Sequence, residues 1–345
     1  MAKKETTDYS ALVRSLKANG PERLYLLWGE ESYLRDSFLD EIKKQCLDGS
    51  ADEFNYRRLE MPSANPQALA EAVNSVPFFS ERTLVELRGL DLNKCSEEDS
   101  KALAEIFSDI PEYCTLACVP DIGFSPDGRL TLIKNIKKYG QSIEFTPQGA
   151  GLMLNWISKR FASHGKTISR ADAEYLLFVS GSLMNTLIPE IEKISAYCQS
   201  ENVTKSDVDA VAQRIPEANI FDMTDCIAAR DFDGAAAILA ELLAAKEHPI
   251  MLLAMIGQQL RRLYAAKLAQ ESGKGRDYIA QACDIKYDFI INKLAAAARK
   301  FSAEHLRRAV CLCAEYDFKM KSSSIDDEEL LRELLLKISI GEKDA

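Results

Sequence analysis

The sequence predicts an α/β plus all-α protein: a parallel-sheet domain, then a small helical unit, then a helical bundle. Short apolar or β-rich runs alternate with helical stretches as far as Phe145. That is the pattern of strands joined by crossover helices and covered on both faces. After residues 146–151 the strand signal disappears and the remainder is rich in helix formers. At 345 residues the chain exceeds one ordinary core and suggests two or three domains.

Residues 8–19 have helical spacing. Leu24–Trp28 is an unbroken apolar run that reads as a buried strand, and 33–47 returns to helical spacing. Residues 54–59 alternate like a strand, and 66–74 form a helix with Pro66 near its first turn. Strands at 83–87, Cys114–Val119 and 142–145 then alternate with helices at 97–107 and 129–138. Helices follow at 152–162, at 170–179 behind the N-cap Ser169, at 183–198 behind Ser182, and at 206–214 behind Thr204. Pro216 breaks the chain. Beyond it come the Ala-rich 234–245, the long amphipathic Pro249–Glu271, and helices near 278–283, 287–300, 303–320 and 326–338. Gly273, Gly275, Ser302 and residues 322–324 mark the joints. The expected domains are 1–148, 149–214 and 215–345.

With 47% apolar and 28% charged residues, the composition is that of a soluble, folded, intracellular protein. No apolar run approaches a membrane span, and the N-terminal MAKKETTDYS lacks the apolar core of a signal peptide. A net charge of −10 argues against a protein whose main surface is a nucleic-acid groove, while leaving room for a local basic patch. The nine cysteines are scattered without a C-x-x-C pair, and His164, His248 and His305 lie far apart, so neither spacing suits a zinc site. Reduced thiols in a cytosolic protein fit best. Cys114 and Cys118 share a face of one strand and read as small buried apolar residues.

The turn between Trp28 and Tyr33 lies where a strand-to-helix phosphate loop would sit. Such a loop needs G-x-x-x-x-G-K-[ST], so that backbone N–H groups wrap the phosphates and a lysine neutralises them. Here Gly29 is the only glycine, Glu30 and Glu31 follow it, and the first lysine is Lys43. Two carboxylates at a helix N-terminus suit the helix dipole but repel a triphosphate. No cofactor and no metal are expected.

Residues 74–81, NSVPFFSE, connect a helix to a strand. Pro77 fixes its own φ and pushes Val76 toward an extended conformation, which sets Phe78 and Phe79 side by side. Connecting loops run over the surface, so these aromatics either tuck into the core or face a partner. Composition leaves both readings open.

Four segments together resemble one family over essentially the whole chain. They are Tyr25-Leu26-Leu27-Trp28-Gly29-Glu30-Glu31-Ser32-Tyr33-Leu34; Val76-Pro77-Phe78-Phe79-Ser80-Glu81-Arg82 running into the next strand; Gly181-Ser182-Leu183 to Leu187 with Glu190-Ile191-Glu192-Lys193-Ile194 and Tyr197; and Asn219-Ile220-Phe221-Asp222 with Gln259-Leu260-Arg261-Arg262-Leu263 and Glu315-Tyr316-Asp317-Phe318-Lys319-Met320-Lys321. They are similar to the delta-subunit family of bacterial DNA polymerase III clamp loaders. That resemblance implies an AAA+-like first domain without a working P-loop, a small helical lid and a helical collar. It implies a subunit without catalysis of its own inside a DNA-directed DNA polymerase (nucleotidyltransferase) holoenzyme in the cytoplasm. The implied partners are the beta sliding clamp, which the subunit would open for loading; the ATPase subunits and delta prime, met through the collar; and primed DNA. Clamp binding falls on Val76, Pro77, Phe78 and Phe79, with the two phenylalanines as the plug.

Other motifs read more plainly. Neither the run 83–87 followed by Asp91 nor Cys114–Val119 followed by Asp121 ends in the paired acids of a magnesium site. Gly273-Lys274-Gly275-Arg276 joins two helices and reads as a loop. Arg261, Arg262, Lys267, Lys319 and Lys321 could face DNA, though a solvated helix face is the commoner use of such charges. The rival function is an active AAA+ ATPase in DNA remodelling or helicase loading, which the turn at Gly29 opposes.

Overall fold

Parallel strands joined by helical crossovers build the first part of the molecule. The computed structural model describes residues 8–47, 49, 52–61, 65–285 and 288–339. They fall into two compact units: the chain up to Gln148 with Leu183–Asn185, and Gly149–Ser182 with the chain from Thr186 onward.

In the first unit, helix α1 (Tyr9–Asn19) leads to β1 (Leu24–Trp28) and α2 (Ser32–Cys46). A single helical turn, α3 (Asp52–Asn55), precedes β2 (Tyr56–Glu60), and α4 (Pro66–Val73) precedes β3 (Thr83–Arg88). Then follow α5 (Glu97–Ser108), β4 (Cys114–Val119), α6 (Thr131–Tyr139) and β5 (Gln141–Glu144). The sheet order is β2-β3-β4-β1-β5 and every neighbouring pair is parallel. This is the AAA+-like sheet that the resemblance implies.

Strand periodicity separates the two faces. Leu24 and Leu26 join Val85, Leu116 and Ile133 in one apolar cluster. Tyr25 instead meets Phe38 of α2 edge-on at 6.1 Å, and Phe38 meets Phe145 at 5.9 Å. β4 is buried along its whole length, whereas the edge strand β2 exposes Arg57 and Arg58, as charged side chains on an unpaired edge discourage further pairing.

The second unit is almost entirely helical. It comprises α7 (Ala150–Ser163), α8 (Arg170–Ser180), α9 (Met184–Tyr197, its first two residues grouped with the first unit) and α10 (Lys205–Val211). Seven more helices follow among the described residues: α11 (Pro216–Ala229), α12 (Phe232–Ala244), α13 (Pro249–Glu271), α14 (Arg276–Cys283), α15 (Asp288–Ala298), α16 (Ala303–Ser322) and α17 (Asp327–Ser339). Ser169 caps α8 by accepting from the Asp172 N–H, and Thr204 and Asp207 form a capping box on α10. Phe178 of α8 packs edge-on against Phe221 of α11 at 5.5 Å, and the Lys293 ammonium lies over both rings.

Three expectations need correction. Phe54 and Asn55 close α3 rather than opening a strand: Asp52 and Glu53 favour a helix start, and the alternation belongs to 56–60 alone. Strands do not vanish after residue 151, because β6 (Thr167–Ile168) and β7 (Asn202–Val203) pair in parallel, but two residues leave no periodicity to detect. Pro216 starts α11 at its first turn instead of breaking the chain, where its missing N–H has no bond to lose. Tyr287, the expected start of one helix, lies outside the described residues, as do residues 1–7 of the N-terminal reading.

Candidate functional site

Two connections in the first unit carry the chemistry that the sequence singles out: the turn after β1 and the loop between α4 and β3.

The turn after β1 is closed by its own backbone. Phe145 N–H donates to Trp28 C=O at 2.7 Å, and Glu31 N–H donates back to Phe145 C=O at 3.0 Å. Ser32 N–H reaches Glu30 C=O at 3.0 Å and Arg35 N–H reaches Glu31 C=O at 3.2 Å. The Glu31, Ser32 and Arg35 amides are thus taken up internally. Gly29 has φ 122°, and a Cβ there would lie 2.3 Å from the Phe145 carbonyl oxygen, so only glycine fits.

Glu31 sits at the N-cap of α2 and is 0% exposed. Its carboxylate accepts from the Met184 N–H at 3.3 and 3.4 Å. Burial pushes its pKa up to about 7, against the opposing pull of that amide. Arg35, also buried, donates from Nη1 to the Pro120 C=O at 3.2 Å, tying α2 to the end of β4. A carboxylate and a guanidinium committed to the fold occupy the region where a nucleotide loop would need glycines and a free lysine.

The loop between α4 and β3 presents its apolar side chains outward. Val76, Phe78 and Phe79 are 75%, 51% and 81% exposed, and Pro77 is half-buried. The Phe78 and Phe79 rings meet edge-to-face at 4.5 Å. These side chains therefore lie outside the core. Asn74 accepts from the Tyr113 hydroxyl through its C=O at 3.3 Å where the loop leaves α4. Sequence reasoning missed Phe54, 65% exposed, whose ring centroid lies 5.2 Å from that of Phe78. It also missed Asn55, buried and bonded to the Phe78 backbone. No local pattern links these residues to a loop on the next crossover.

The remaining candidates behave as ordinary structure. Asp91 caps its own turn, accepting from Asn93 N–H at 3.0 Å and pairing with Lys94 at 3.0 Å. Among the described residues no cluster of His, Cys, Asp or Glu could hold a metal ion. Burial pushes Cys114 up to about 11 and Cys118 up to about 12, which makes them inert thiols. Lys267, Lys319 and Lys321 pair with Glu271, Glu315 and Asp317 one turn away, the i, i+4 spacing of ion pairs within a helix. Gly273, at φ 66°, ends α13, and Lys274 lies over the Tyr278 ring at 3.9 Å, so this segment is a helix joint.

Two family models match the chain: DNA polymerase III, delta subunit, over residues 25–146, and DNA polymerase III delta subunit, C-terminal domain, over residues 217–338. The chain belongs to the DNA polymerase III delta-subunit family. This delta-family chain is 28% identical over 333 residues to DNA polymerase III subunit delta of Bacillus subtilis, covering 94% of this chain and 95% of that protein. It is 22% identical over 328 residues to the probable DNA polymerase III subunit delta of Aquifex aeolicus, covering 91% and 90%. The solved DNA clamp loader delta protein of Bacillus subtilis is similar at 26% identity, covering 96% of this chain and 99% of that one, with a TM-score of 0.49. The matched 25–146 region of the delta family spans both the closed turn and the Phe78–Phe79 loop.

The turn yields two predictions. Because the folded pKa of Glu31 is raised from 4.5 to about 7, its protonated form stabilises the fold fully below pH 4.5, and that stability is lost as pH rises through about 7. Glu31→Gln is expected to flatten this loss by about 1–2 kcal/mol between pH 5 and 8, read from urea unfolding midpoints at each pH. Gly29→Ala, which forces a Cβ into the Phe145 carbonyl, is expected to cost about 2 kcal/mol or more in the same assay.

Proposed function

We propose that this chain is the clamp-opening subunit of a clamp loader, with Phe78 and Phe79 inserted into a hydrophobic pocket of the beta sliding clamp. One observation carries the reading: two adjacent aromatics project into solvent from an ordered loop, 51% and 81% exposed. An exposed aromatic pair stabilises a monomer little and gains most of its burial when a partner covers it. Buried aromatic anchors also dominate the affinity of protein interfaces. Val76, 75% exposed, and Pro77 flank the plug on the same loop.

Ring opening follows from linkage. A ligand shifts an equilibrium only by its differential affinity for the two states, so this subunit must hold the open ring more tightly than the closed one. In this reading the chain has no catalysis of its own and binds no nucleotide: Glu31 and the closed amides of its turn occupy the phosphate position. ATP acts through the ATPase subunits, which with delta prime meet residues 215–345 as a collar, while residues 149–214 form the lid. The assembly encloses primed DNA in the cytoplasm and serves the DNA polymerase holoenzyme. Among the described residues, no helix is long and apolar enough to cross a membrane.

The test is equilibrium binding of the purified chain to the cognate sliding clamp without nucleotide. Phe78→Ala/Phe79→Ala should weaken binding by about 2 kcal/mol or more, the loss expected of an interface hot spot. Equal affinity of wild type and double variant removes the plug. ATP turnover by the isolated chain would return the protein to the class of active AAA+ ATPases.

A further inference from the structure

The outward loop is held by a residue on a different crossover. Asn55 accepts the Phe78 N–H through Oδ1 at 2.7 Å and donates through Nδ2 to the Phe78 C=O at 2.8 Å, across a separation of 23 residues. One side-chain amide thus pairs with both backbone groups of a single residue, much as a neighbouring strand would. The pairing is shielded, since Asn55 is only 2% exposed.

Asn55 is anchored from behind. The next residue, Tyr56, opens β2, and its hydroxyl donates to Glu86 on β3, a buried carboxylate that also pairs with Lys43 at 3.0 Å and with Arg88. Burial opposes the charge on Glu86, but the hydrogen bonds from Tyr56, Arg88 and Lys43 outweigh it and hold the carboxyl below its ordinary pKa. The clamp on Phe78 is therefore continuous with the sheet.

Phe79, immediately after, has φ 49°. Bulky L-residues avoid this left-handed region, and they persist there only where the surroundings over-determine them. The fixed Phe78 peptide supplies that constraint on one side. On the other side of Asn55, Phe54 extends the aromatic surface: its ring contacts Phe78, which contacts Phe79, so three partly or largely exposed rings are contiguous.

We infer that the Phe54–Asn55 turn is the second half of the clamp-docking element, an inference that rests on the clamp reading above. Asn55 is a positioning residue that pre-orders the plug, and Phe54 is a third aromatic that docks beside it on the clamp. A buried amide directed at an exposed loop adds no apolar burial to the core. Pre-ordering the loop instead lowers the ordering cost that binding would otherwise carry.

The experiment compares the full-length chain with Asn55→Ala, Asn55→Asp, Phe54→Ala and Phe78→Ala/Phe79→Ala. Three quantities are read: clamp affinity, unfolding midpoint, and hydrogen exchange at the Phe78 amide. Asn55→Ala is expected to weaken clamp binding about tenfold and to release the Phe78 amide, with the unfolding midpoint of the sheet little changed. Asn55→Asp keeps the acceptor for the Phe78 N–H but sets a carboxylate oxygen against the Phe78 C=O, so it too should weaken binding and release the Phe78 peptide. It also carries the test if the alanine variant does not fold. Phe54→Ala removes a largely exposed ring and should weaken binding several-fold while leaving exchange at Phe78 unchanged. If the phenylalanine pair is required but Asn55→Ala or Asn55→Asp binds like wild type, the positioning role is wrong and the clamp reading survives. Wild-type affinity in Phe54→Ala overturns the third contact. Wild-type affinity in the phenylalanine double variant instead overturns the clamp reading itself.

Discussion

The two hydrogen bonds between the Asn55 amide and the Phe78 backbone, 2.7 and 2.8 Å long, set the geometry on which the proposed function depends. A loop with Val76, Phe78 and Phe79 in solvent has no apolar burial of its own to define its shape. Left to the hydrophobic effect, such side chains would fold back onto the nearest apolar surface. A polar clamp works differently: it fixes the backbone and leaves the rings outside. It is effective because Asn55 is buried, where competition from water is weak and a misplaced amide would be costly.

The same economy of parts appears at the turn after β1. A strand, a tight turn and a helix are retained in the order that phosphate loops use, but their polar groups are paired with the protein. Glu31 takes the Met184 amide, Arg35 takes the Pro120 carbonyl, and the turn amides take carbonyls from Phe145, Glu30 and Glu31. These bonds convert a position suited to ligand binding into a joint of the fold.

Legibility in the sequence followed the length and burial of each element. Leu24–Trp28 and Cys114–Val119 are continuous apolar runs, and the structure places both strands at those bounds. Pro249–Glu271 likewise begins at its N-terminal proline and ends before Gly273. The one-turn helix at Asp52–Asn55 and the two-residue strands β6 and β7 are too short to impose a period. In the loop between α4 and β3, Val76, Pro77, Phe78 and Phe79 stood out in sequence, while their exposure did not. Exposure is a tertiary property: the loop backbone is bonded to Asn55, whose neighbour Tyr56 bonds to Glu86 across from β2 to β3. Nor could sequence pair Phe54 with Phe78, because their contact spans the helix α4 and the connection before it.

In the proposed function, ring opening comes from binding by this subunit alone, with ATP acting elsewhere. It is tested most directly by a distance-sensitive fluorescent pair across the clamp's subunit interface, monitored as the purified chain is added without nucleotide. The expected result is a saturable increase in separation that is lost with Phe78→Ala/Phe79→Ala. A ring that stays closed at saturating wild-type chain, or that opens only when this chain hydrolyses ATP, would contradict it.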